Sequence, residues 1–283
     1  MSQKYGLIGY PLGHTLSPYI HSQLFAIKGI SASYNAIEIS PESLGEKFAL
    51  LLELDGFNVT IPHKNSIIKE LDFIDETSKL YGSVNTVKKE NNKFYGYNTD
   101  AYGFLKGIER AGLNLSGNVF VYGYGGVART IAFECVKKGC NVTFGVRQGL
   151  QDRAKPLQNE IYEKLNTQVD IKEIYSLSQK YDLFINATPV GMYPKVDASP
   201  ITKEQISLFG GVFDTIYNPQ QTTLIKYAKE CGVKNDSGLA MLVYQAVKAQ
   251  SVWFDTEFEN KDIEAIIEKS AKKLSEEFRT WII

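Results

Sequence analysis

Short apolar runs alternate with helix-like stretches along the first hundred residues of the chain. The run Tyr5–Ile8 predicts a strand, and the stretch Pro18–Lys28 predicts a helix that ends at Gly29. The turn residues Asn91-Asn92 separate two short runs, which predicts a hairpin. This alternation predicts an α/β lobe with mixed strand pairing. The other elements predicted here are strands at 33–39 and 57–60, helices from 41 to about 54 and from Pro62, and hairpin strands at 84–89 and 94–97.

The alternation continues beyond residue 100 and closes with two helices. Asn98-Thr99-Asp100 opens a helix toward Ala111, and the loop 112–117 follows, so we place a domain boundary near Asp100. The last two stretches, Leu239 to about Asp255 and Lys261–Phe278, are too helical to finish a sheet, and we expect them to return to cover the first lobe. The elements predicted before them are strands from 118 and at 141–146, 183–186 and 212–214, and helices at 127–138, about 151–165 and 222–231.

Composition narrows the class of protein. The chain has 283 residues, of which 43% are hydrophobic, enough for two modest cores. Its 31 basic and 32 acidic residues leave a formal charge of −1, so we expect a small-molecule ligand and neither a nucleic-acid nor a membrane partner. Without a signal-peptide pattern or a run of 18 apolar residues, a soluble cytoplasmic protein is expected, as a monomer or a homodimer. Three cysteines without C-x-x-C spacing and three histidines predict neither a disulfide framework nor a metal site.

A glycine-rich turn between the strand from Asn118 and the following helix predicts a dinucleotide phosphate loop. Gly123, Gly125 and Ala128 fill the three positions of G-x-G-x-x-G/A. The first glycine permits a tight turn, the second lets the backbone approach a pyrophosphate, and the small third residue lets helix and strand pack closely. The free N–H groups at the start of the helix would bind the phosphates.

The residue after the second strand of this unit predicts which dinucleotide binds. The strand Asn141–Val146 ends at Arg147, about twenty residues past the loop, where the NAD version of the motif carries an acid. A cation there fits a 2′-phosphate and predicts NADP(H), with Arg153 as a second candidate contact. The alternative is a surface arginine at a strand end.

Polar side chains in the first lobe lie at places where folding alone gives little reason for them. Thr15 and Ser17 stand just before a predicted helix and can bind a carboxylate or a hydroxyl, although they can also cap the helix. Lys64 is predicted in the first turn of a helix, where a cation is disfavoured, so it marks a functional site. Asn85 can be a turn residue and Asp100 a helix cap, but together with Lys64 they supply an amide, an acid and a base to one cleft.

Three further segments carry polar groups in the second lobe: 185–192, 214–219 and 238–246. The first two leave the carboxyl ends of strands, where ligands of open α/β sheets lie, so we expect them to overhang the nicotinamide. In the third, Met241 and Gln245 share a helix face different from its apolar stripe, which directs Gln245 to the cleft or to solvent.

These residues together resemble the shikimate dehydrogenase family. The motifs H-T-L-S-P, N-V-T-I-P-H-K, V-N-T-V, Y-N-T-D, G-Y-G-G-V-A, I-N-A-T-P-V-G-M, D-T-I-Y-N-P and G-L-A-M-L-V-Y-Q-A follow in order over nearly the whole chain. The resemblance implies an α/β, two-lobed protein with an N-terminal substrate-binding and catalytic domain (1–100, completed by helices in 238–283) and a Rossmann-type NADP-binding domain (101–237).

The resemblance also implies an activity: the reversible, NADPH-dependent reduction of 3-dehydroshikimate to shikimate in aromatic amino acid (chorismate) biosynthesis. It implies that Lys64 and Asp100 are the catalytic pair. The implied substrate-binding residues are Thr15, Ser17, Thr60, Asn85, Tyr217 and Gln245. The implied cofactor-binding residues are Gly123, Gly125, Gly126, Val127, Ala128, Arg147, Thr188, Met192 and Gly238.

Two departures from the family pattern leave alternatives open. Thr15 stands where the family usually has serine, and Val146-Arg147-Gln148 stands where many members have N-R-T, which removes one polar contact to a 2′-phosphate. A quinate/shikimate dehydrogenase with relaxed cofactor use is the nearest alternative. A non-catalytic protein that senses NADP or shikimate is a second one, although Lys64 and Asp100 are both present.

Overall fold

The computed structural model describes residues 2–13 and 15–279, with the side chains of residues 278 and 279 excepted. His14 of the H-T-L-S-P motif and residues 280–283 of the predicted C-terminal segment lie outside this part. The chain divides into two compact units. The first contains residues up to Gly103 together with Leu242–Lys272, and the second contains Phe104–Met241 together with the chain from Lys273 onward.

The first unit contains a mixed six-stranded sheet among the residues described, with the order β2-β1-β3-β5-β6-β4. β1 pairs in parallel with both β2 and β3, whereas β5 is antiparallel to both β3 and β6. The mixed pairing predicted for this lobe is therefore confirmed. The strands are β1 (Gln3–Gly9), β2 (Ala32–Glu38), β3 (Gly56–Val59), β4 (Phe73–Ile74), β5 (Thr86–Glu90) and β6 (Lys93–Tyr97); the helices in the same part of the chain are α1 (Ser17–Lys28), α2 (Leu44–Leu51) and α3 (Glu76–Tyr81).

One helix from the end of the chain packs into the core of the first unit. Ala249 and Trp253 are buried in one apolar cluster with Tyr5 and Tyr34 of the sheet. The indole Nε1 of Trp253 donates to the Val87 carbonyl at 2.9 Å, so its polar atom is satisfied inside the core. Helix α4 (Asp100–Arg110) connects the two units, and the last helices are α8 (Leu239–Phe254) and α9 (Asn260–Arg279).

The second unit contains a six-stranded sheet whose strands all run parallel, again among the residues described. Its order, β9-β8-β7-β10-β11-β12, is the 3-2-1-4-5-6 order of the Rossmann fold. The inner strands are apolar and buried, as expected for a parallel sheet with both faces covered. The strands are β7 (Asn118–Tyr122), β8 (Asn141–Val146), β9 (Asp170–Glu173), β10 (Leu183–Asn186), β11 (Gly211–Asp214) and β12 (Lys234–Ser237); the helices are α5 (Gly126–Lys137), α6 (Gln151–Leu165) and α7 (Thr223–Glu230).

The two edge strands of the second sheet were not predicted from the sequence. β9 reads D-I-K-E and β12 reads K-N-D-S, and neither contains the apolar alternation that signals a strand. Both strands form because the neighbouring strand has backbone N–H and C=O groups without partners. An edge strand can hydrogen-bond with these groups whatever side chains it carries.

The prediction of a helix beginning at Pro62 is wrong. Residues 61–65 form turns, and a 3₁₀ helix begins only at Ser66. Lys64 therefore does not lie in the first turn of an α-helix, and the argument that a helix dipole disfavours it there does not apply. Its side chain has a different reason for its position, an ion pair.

Candidate active site

Lys64 and Asp100 form a buried ion pair in the first unit. The Lys64 Nζ lies 2.6 Å from the Asp100 Oδ2, and each side chain is less than 10% exposed. The turn after β3 carries Lys64, whose carbonyl accepts a hydrogen bond from the Val84 N–H at 2.8 Å, and Asp100 is the first residue of α4. Because little water surrounds this pair, the attraction is stronger than at a surface, and an ammonium group is held where it can give up a proton.

The helix-cap alternative for Asp100 is not what the structure shows. The Oδ1 of Asn98 accepts from the Ala101 N–H at 3.3 Å and so takes the capping role at the start of α4. Both carboxyl oxygens of Asp100 face other side chains instead, Lys64 and Asn85. The acid is therefore available for chemistry.

Asn85 binds the second oxygen of Asp100. Its Nδ2 donates to the Asp100 Oδ1 at 2.9 Å, and its Oδ1 accepts from the Thr99 N–H at 2.7 Å. The two contacts together assign the amide orientation, because a backbone N–H can only donate. Asn85 lies directly before β5, buried and bonded on both backbone sides, and is not a turn residue.

A row of buried side chains behind Asn85 was not assigned a role from the sequence. The Tyr34 hydroxyl donates to the Asn58 Oδ1 at 2.8 Å, and the Asn58 Nδ2 donates to the Thr86 Oγ1 at 2.9 Å. The Thr86 hydroxyl in turn donates to the Asn85 Oδ1 at 3.3 Å. The row depends on β2, β1, β3 and β5 lying side by side, and this register has no signal in the local sequence.

The hydroxyl groups of Thr15 and Ser17, at the start of α1, do not cap that helix. The Thr15 Oγ1 lies 3.2 Å from the Ser17 Oγ and accepts from the Ser17 N–H, and no side chain caps α1. Ser17 is buried and Thr15 is half-buried. The pair is thus close enough together to bind one group, as a carboxylate requires.

Gln245 and Thr60 complete the candidate residues of the first unit. Gln245 is 8% exposed, so the solvent-facing alternative is excluded, and its Oε1 accepts from the Asn85 Nδ2 at 3.4 Å. Met241, one helical turn earlier, is buried as well. The Thr60 N–H donates to the Ile8 carbonyl at 2.9 Å, which holds this half-buried residue at the end of β3.

The glycine turn of the second unit leaves room for a ligand at the start of α5. A Cβ added to Gly125 would meet nothing within 4 Å, and neither a side-chain cap nor an acid occupies the first turn of α5. Gly123 has φ +118°, a conformation that favours glycine, and a Cβ there would lie 2.9 Å from the Thr188 Cγ2. Ala128 is fully buried between helix and sheet. Open backbone N–H groups at a helix N-terminus fit a pyrophosphate.

Gly126 begins α5 and Val127 follows it, both half-buried beside the same turn. Arg147 directly follows β8 and is exposed. Within the described residues it forms no ion pair with a carboxylate. Glu173, which pairs with the preceding residue Val146 in the sheet, accepts from the Gly149 N–H at 3.2 Å. An unpaired guanidinium at this point fits the predicted 2′-phosphate site.

The remaining candidates of the second unit follow β10, β11 and β12. Thr188 and Tyr217 are half-buried, and Met192 is 45% exposed. Gly238 is buried, and a Cβ there would lie 2.1 Å from the Thr215 carbonyl oxygen, so only glycine fits. Packing by itself therefore explains this glycine.

Two buried groups have strongly shifted acid–base behaviour. Burial lowers the pKa of His21 to about 3, and the polar side chain of Asn58 opposes the shift. Burial raises the pKa of Asp214 to about 6, against hydrogen bonds from Thr222, the Ile216 N–H and Asn186.

In the described part of the chain, no group of three His, Cys, Asp or Glu residues is placed to hold a metal ion. No helix described is long and apolar enough to cross a membrane.

Comparison with known proteins identifies relatives over most of the chain. Residues 7–87 match the family model of the shikimate dehydrogenase substrate binding domain. A shikimate dehydrogenase (NADP(+)) of Methanocaldococcus jannaschii is 41% identical over 277 residues, 94% of this chain and 97% of the relative. One of Clostridium beijerinckii is 38% identical over 260 residues, 91% of this chain and 94% of the relative.

A solved structure is similar in fold. The shikimate 5-dehydrogenase of Thermus thermophilus, in complex with NADP(H) and shikimate, has a TM-score of 0.84 at 29% identity. The match covers 95% of this chain and 99% of that chain.

Proposed function

Because this chain belongs to the shikimate dehydrogenase family, we propose that it catalyses the reversible, NADPH-dependent reduction of 3-dehydroshikimate to shikimate. The observation that carries the proposal is the buried Lys64–Asp100 ion pair, which supplies a proton donor in a chain that matches its relatives almost end to end. The quinate-accepting and sensor alternatives are not favoured by these relatives, which are dehydrogenases specified for NADP(+).

The chain's own residues account for the proton in this reaction. The hydride for the carbonyl carbon would come from NADPH when it is bound in the second unit. The Lys64 ammonium donates a proton to the carbonyl oxygen, which gives the alcohol without a free alkoxide. Asp100 holds the Nζ at 2.6 Å, and Asn85 holds the other carboxyl oxygen at 2.9 Å, so both groups keep their positions as the proton moves. In the direction of oxidation the neutral Lys64 amine accepts the proton.

Binding is divided between the two units. In the first, Thr15 and Ser17 supply hydroxyl groups to the substrate carboxylate, and Thr60, Asn85 and Gln245 bind its ring hydroxyl groups. The proposed substrate-binding and catalytic domain comprises residues 1–100 with helices of 238–283.

The NADP-binding domain comprises residues 101–237, whose Tyr217 also contacts the substrate. The open start of α5 and the unpaired Arg147 support the assignment to NADP(H), the first for the pyrophosphate and the second for the 2′-phosphate. The cofactor-binding residues are Gly123, Gly125, Gly126, Val127, Ala128, Arg147, Thr188, Met192 and Gly238.

On the basis of family membership we also propose a cytoplasmic location and a monomeric or homodimeric state. Light scattering of the purified protein tests the second point, and a mass of three or more chains contradicts it.

The test of the activity is the initial rate of oxidation of shikimate and of quinate, each with NADP⁺ and with NAD⁺, followed by the absorbance of the reduced nicotinamide. We expect a strong preference for shikimate with NADP⁺. Comparable rates with quinate or with NAD⁺ would contradict the specificity proposed here. Absence of turnover with every pair would contradict the enzymatic function.

A further inference from the structure

A buried carboxylate stands at the carboxyl edge of the second sheet. Asp214 ends β11, is fully buried and lies in register beside Asn186, the last residue of β10. Its Oδ1 accepts from the Asn186 Nδ2 at 3.0 Å and from the Ile216 N–H at 3.1 Å. Its Oδ2 accepts from the Thr222 hydroxyl at 2.6 Å. Every partner is a donor, so the arrangement suits the ionised form.

Asp214 determines which way the Asn186 amide points. Because the carboxylate accepts from Nδ2, the Oδ1 of Asn186 is directed to the other side, where it accepts from the Thr188 N–H at 3.1 Å and from the Thr188 hydroxyl at 2.8 Å. The Asn186 Nδ2 also donates to the Val190 carbonyl at 3.2 Å. One side chain thus shapes the loop 187–192, which carries Thr188 and Met192.

The same carboxylate holds a second loop. The Ile216 N–H, which donates to the Asp214 Oδ1, belongs to the turn that carries Tyr217. The Thr222 hydroxyl that it binds also accepts from the Ile225 N–H at 3.3 Å and caps α7. Asp214 is therefore the common partner of the segments that leave β10 and β11.

A carboxylate in this position costs free energy that an apolar residue would not. Burial raises its pKa to about 6, because desolvation disfavours the ionised form more than the three hydrogen bonds favour it. A side chain that lowers stability in this way, at the edge where dinucleotides bind, indicates a role in ligand binding.

We propose that Asp214 is a positioning residue for the cofactor, and that it acts through the Asn186 amide on the loop that carries Thr188 and Met192. This inference rests on the proposed function, since it needs NADP(H) to bind beyond β10. Neither Asp214 nor Asn186 is proposed to touch the cofactor itself.

Isothermal titration with NADP⁺, which needs no turnover, tests the proposal on the full-length protein. Removing either partner removes the hydrogen bonds that hold the loop 187–192 in position. Loss of a hydrogen bond to a charged group corresponds to an increase of about tenfold in the Kd. Asp214→Ala and Asn186→Ala should each raise the NADP⁺ Kd about tenfold and, because they act through one contact, the double variant should raise it no further than about tenfold. Asp214→Asn retains an acceptor for Asn186 and should restore the Kd to within about threefold.

A matched control separates positioning from loss of stability. Val212 is fully buried two residues earlier on β11 and forms no part of the network, so Val212→Ala should lower the melting temperature while the NADP⁺ Kd stays within about twofold. Additive effects of the two alanine variants, or a rise in Kd for Val212→Ala equal to theirs, would overturn the proposal. If the unaltered protein binds no NADP⁺, the proposed function fails together with it; if it binds and Asn186→Ala binds equally well, only this inference fails.

Discussion

Asn85 and Asp100 are joined by a hydrogen bond of 2.9 Å between Nδ2 and Oδ1, on the carboxyl oxygen that does not face Lys64. Asn85 cannot turn its amide round, because its Oδ1 already accepts from the Thr99 N–H. Asp100 therefore has one oxygen bound to a neutral donor and the other to an ammonium group. Both oxygens of Asp100 thus act as acceptors. The proton that the pair can transfer is therefore the one on the Lys64 ammonium group.

Lys64→Ala should lower kcat about 10²- to 10⁴-fold, the contribution of a positioned general acid. The NADP⁺ Kd should change little, because the proposed cofactor residues belong to the other unit. Removing one member of a buried ion pair also costs about 3–5 kcal/mol of unfolding free energy. Steady-state kinetics checks the change in kcat, titration with NADP⁺ checks the Kd, and urea unfolding checks the loss of stability.

The double variant Lys64→Met/Asp100→Asn is the control for stability. It removes both charges, so the unfolding free energy should recover relative to Lys64→Ala while the rate stays low. A Lys64→Ala protein that turns over at the rate of the unaltered enzyme would contradict the assignment of Lys64 as proton donor.

Arg147→Ala should weaken NADP⁺ binding about 10- to 100-fold, the value of one or two charge-assisted hydrogen bonds to a phosphate. NAD⁺ has no 2′-phosphate, so its affinity should hardly change. Lys138→Ala is the matched control, since Lys138 is also an exposed cation but lies at the C-terminal end of α5, away from the glycine turn. Equal losses for both dinucleotides on Arg147→Ala would argue against a 2′-phosphate contact.

Substitution of two glycines should affect different properties: at Gly125 mainly the binding of NADP⁺, and at Gly238 mainly the stability of the fold. Gly125→Ala places a methyl group in open space, so it should cost about 1 kcal/mol or less in stability but block the approach of the pyrophosphate and weaken NADP⁺ binding. Gly238→Ala places a Cβ 2.1 Å from the Thr215 carbonyl oxygen and should lower the unfolding free energy by about 2 kcal/mol or more. Thermal unfolding and NADP⁺ titration of both variants check this; a Gly125→Ala protein that binds NADP⁺ normally would contradict the phosphate-loop assignment.

The two-lobed α/β architecture and the family could be predicted from the sequence, and both are confirmed. The glycine turn and the buried strands of the second sheet have local patterns, so β8, β10 and α6 were predicted with the bounds observed. The polar edge strands β9 and β12 lacked such a pattern, because their pairing comes from the neighbouring strand. The roles of the individual site residues stay predictions.

Lys64 was singled out for a reason that the structure contradicts, since no helix begins at Pro62. The side chains that orient Asn85 could not be predicted at all. Tyr34 and Asn58 reach each other only because β1 lies between β2 and β3. A contact of this kind depends on sheet order, which no single segment contains.

His21 and Asp214 should give opposite pH dependences of stability. The pKa of His21 is lowered to about 3 in the folded protein, against about 6.5 when unfolded, so between these values the unfolded chain binds more protons and stability falls as pH falls. The pKa of Asp214 is raised to about 6, against about 3.9 unfolded, so the folded chain binds more protons there and stability falls as pH rises. Each effect approaches about 1.4 kcal/mol per pH unit where only one state is protonated.

Substitution isolates the contribution of His21 or of Asp214 to the pH dependence of the unfolding free energy, because all other titrating groups are the same in the unaltered protein and in the variant. The unfolding free energy of the unaltered protein minus that of His21→Asn should increase between pH 4 and pH 6, since His21 contributes a growing part of it. The same difference for Asp214→Asn should decrease over this range by about 3 kcal/mol at most. Urea unfolding at pH 4, 5, 6 and 7 measures both. Parallel curves for a variant and the unaltered protein would show that the substituted group titrates alike in the folded and unfolded states, and would contradict the pKa shift attributed to its burial.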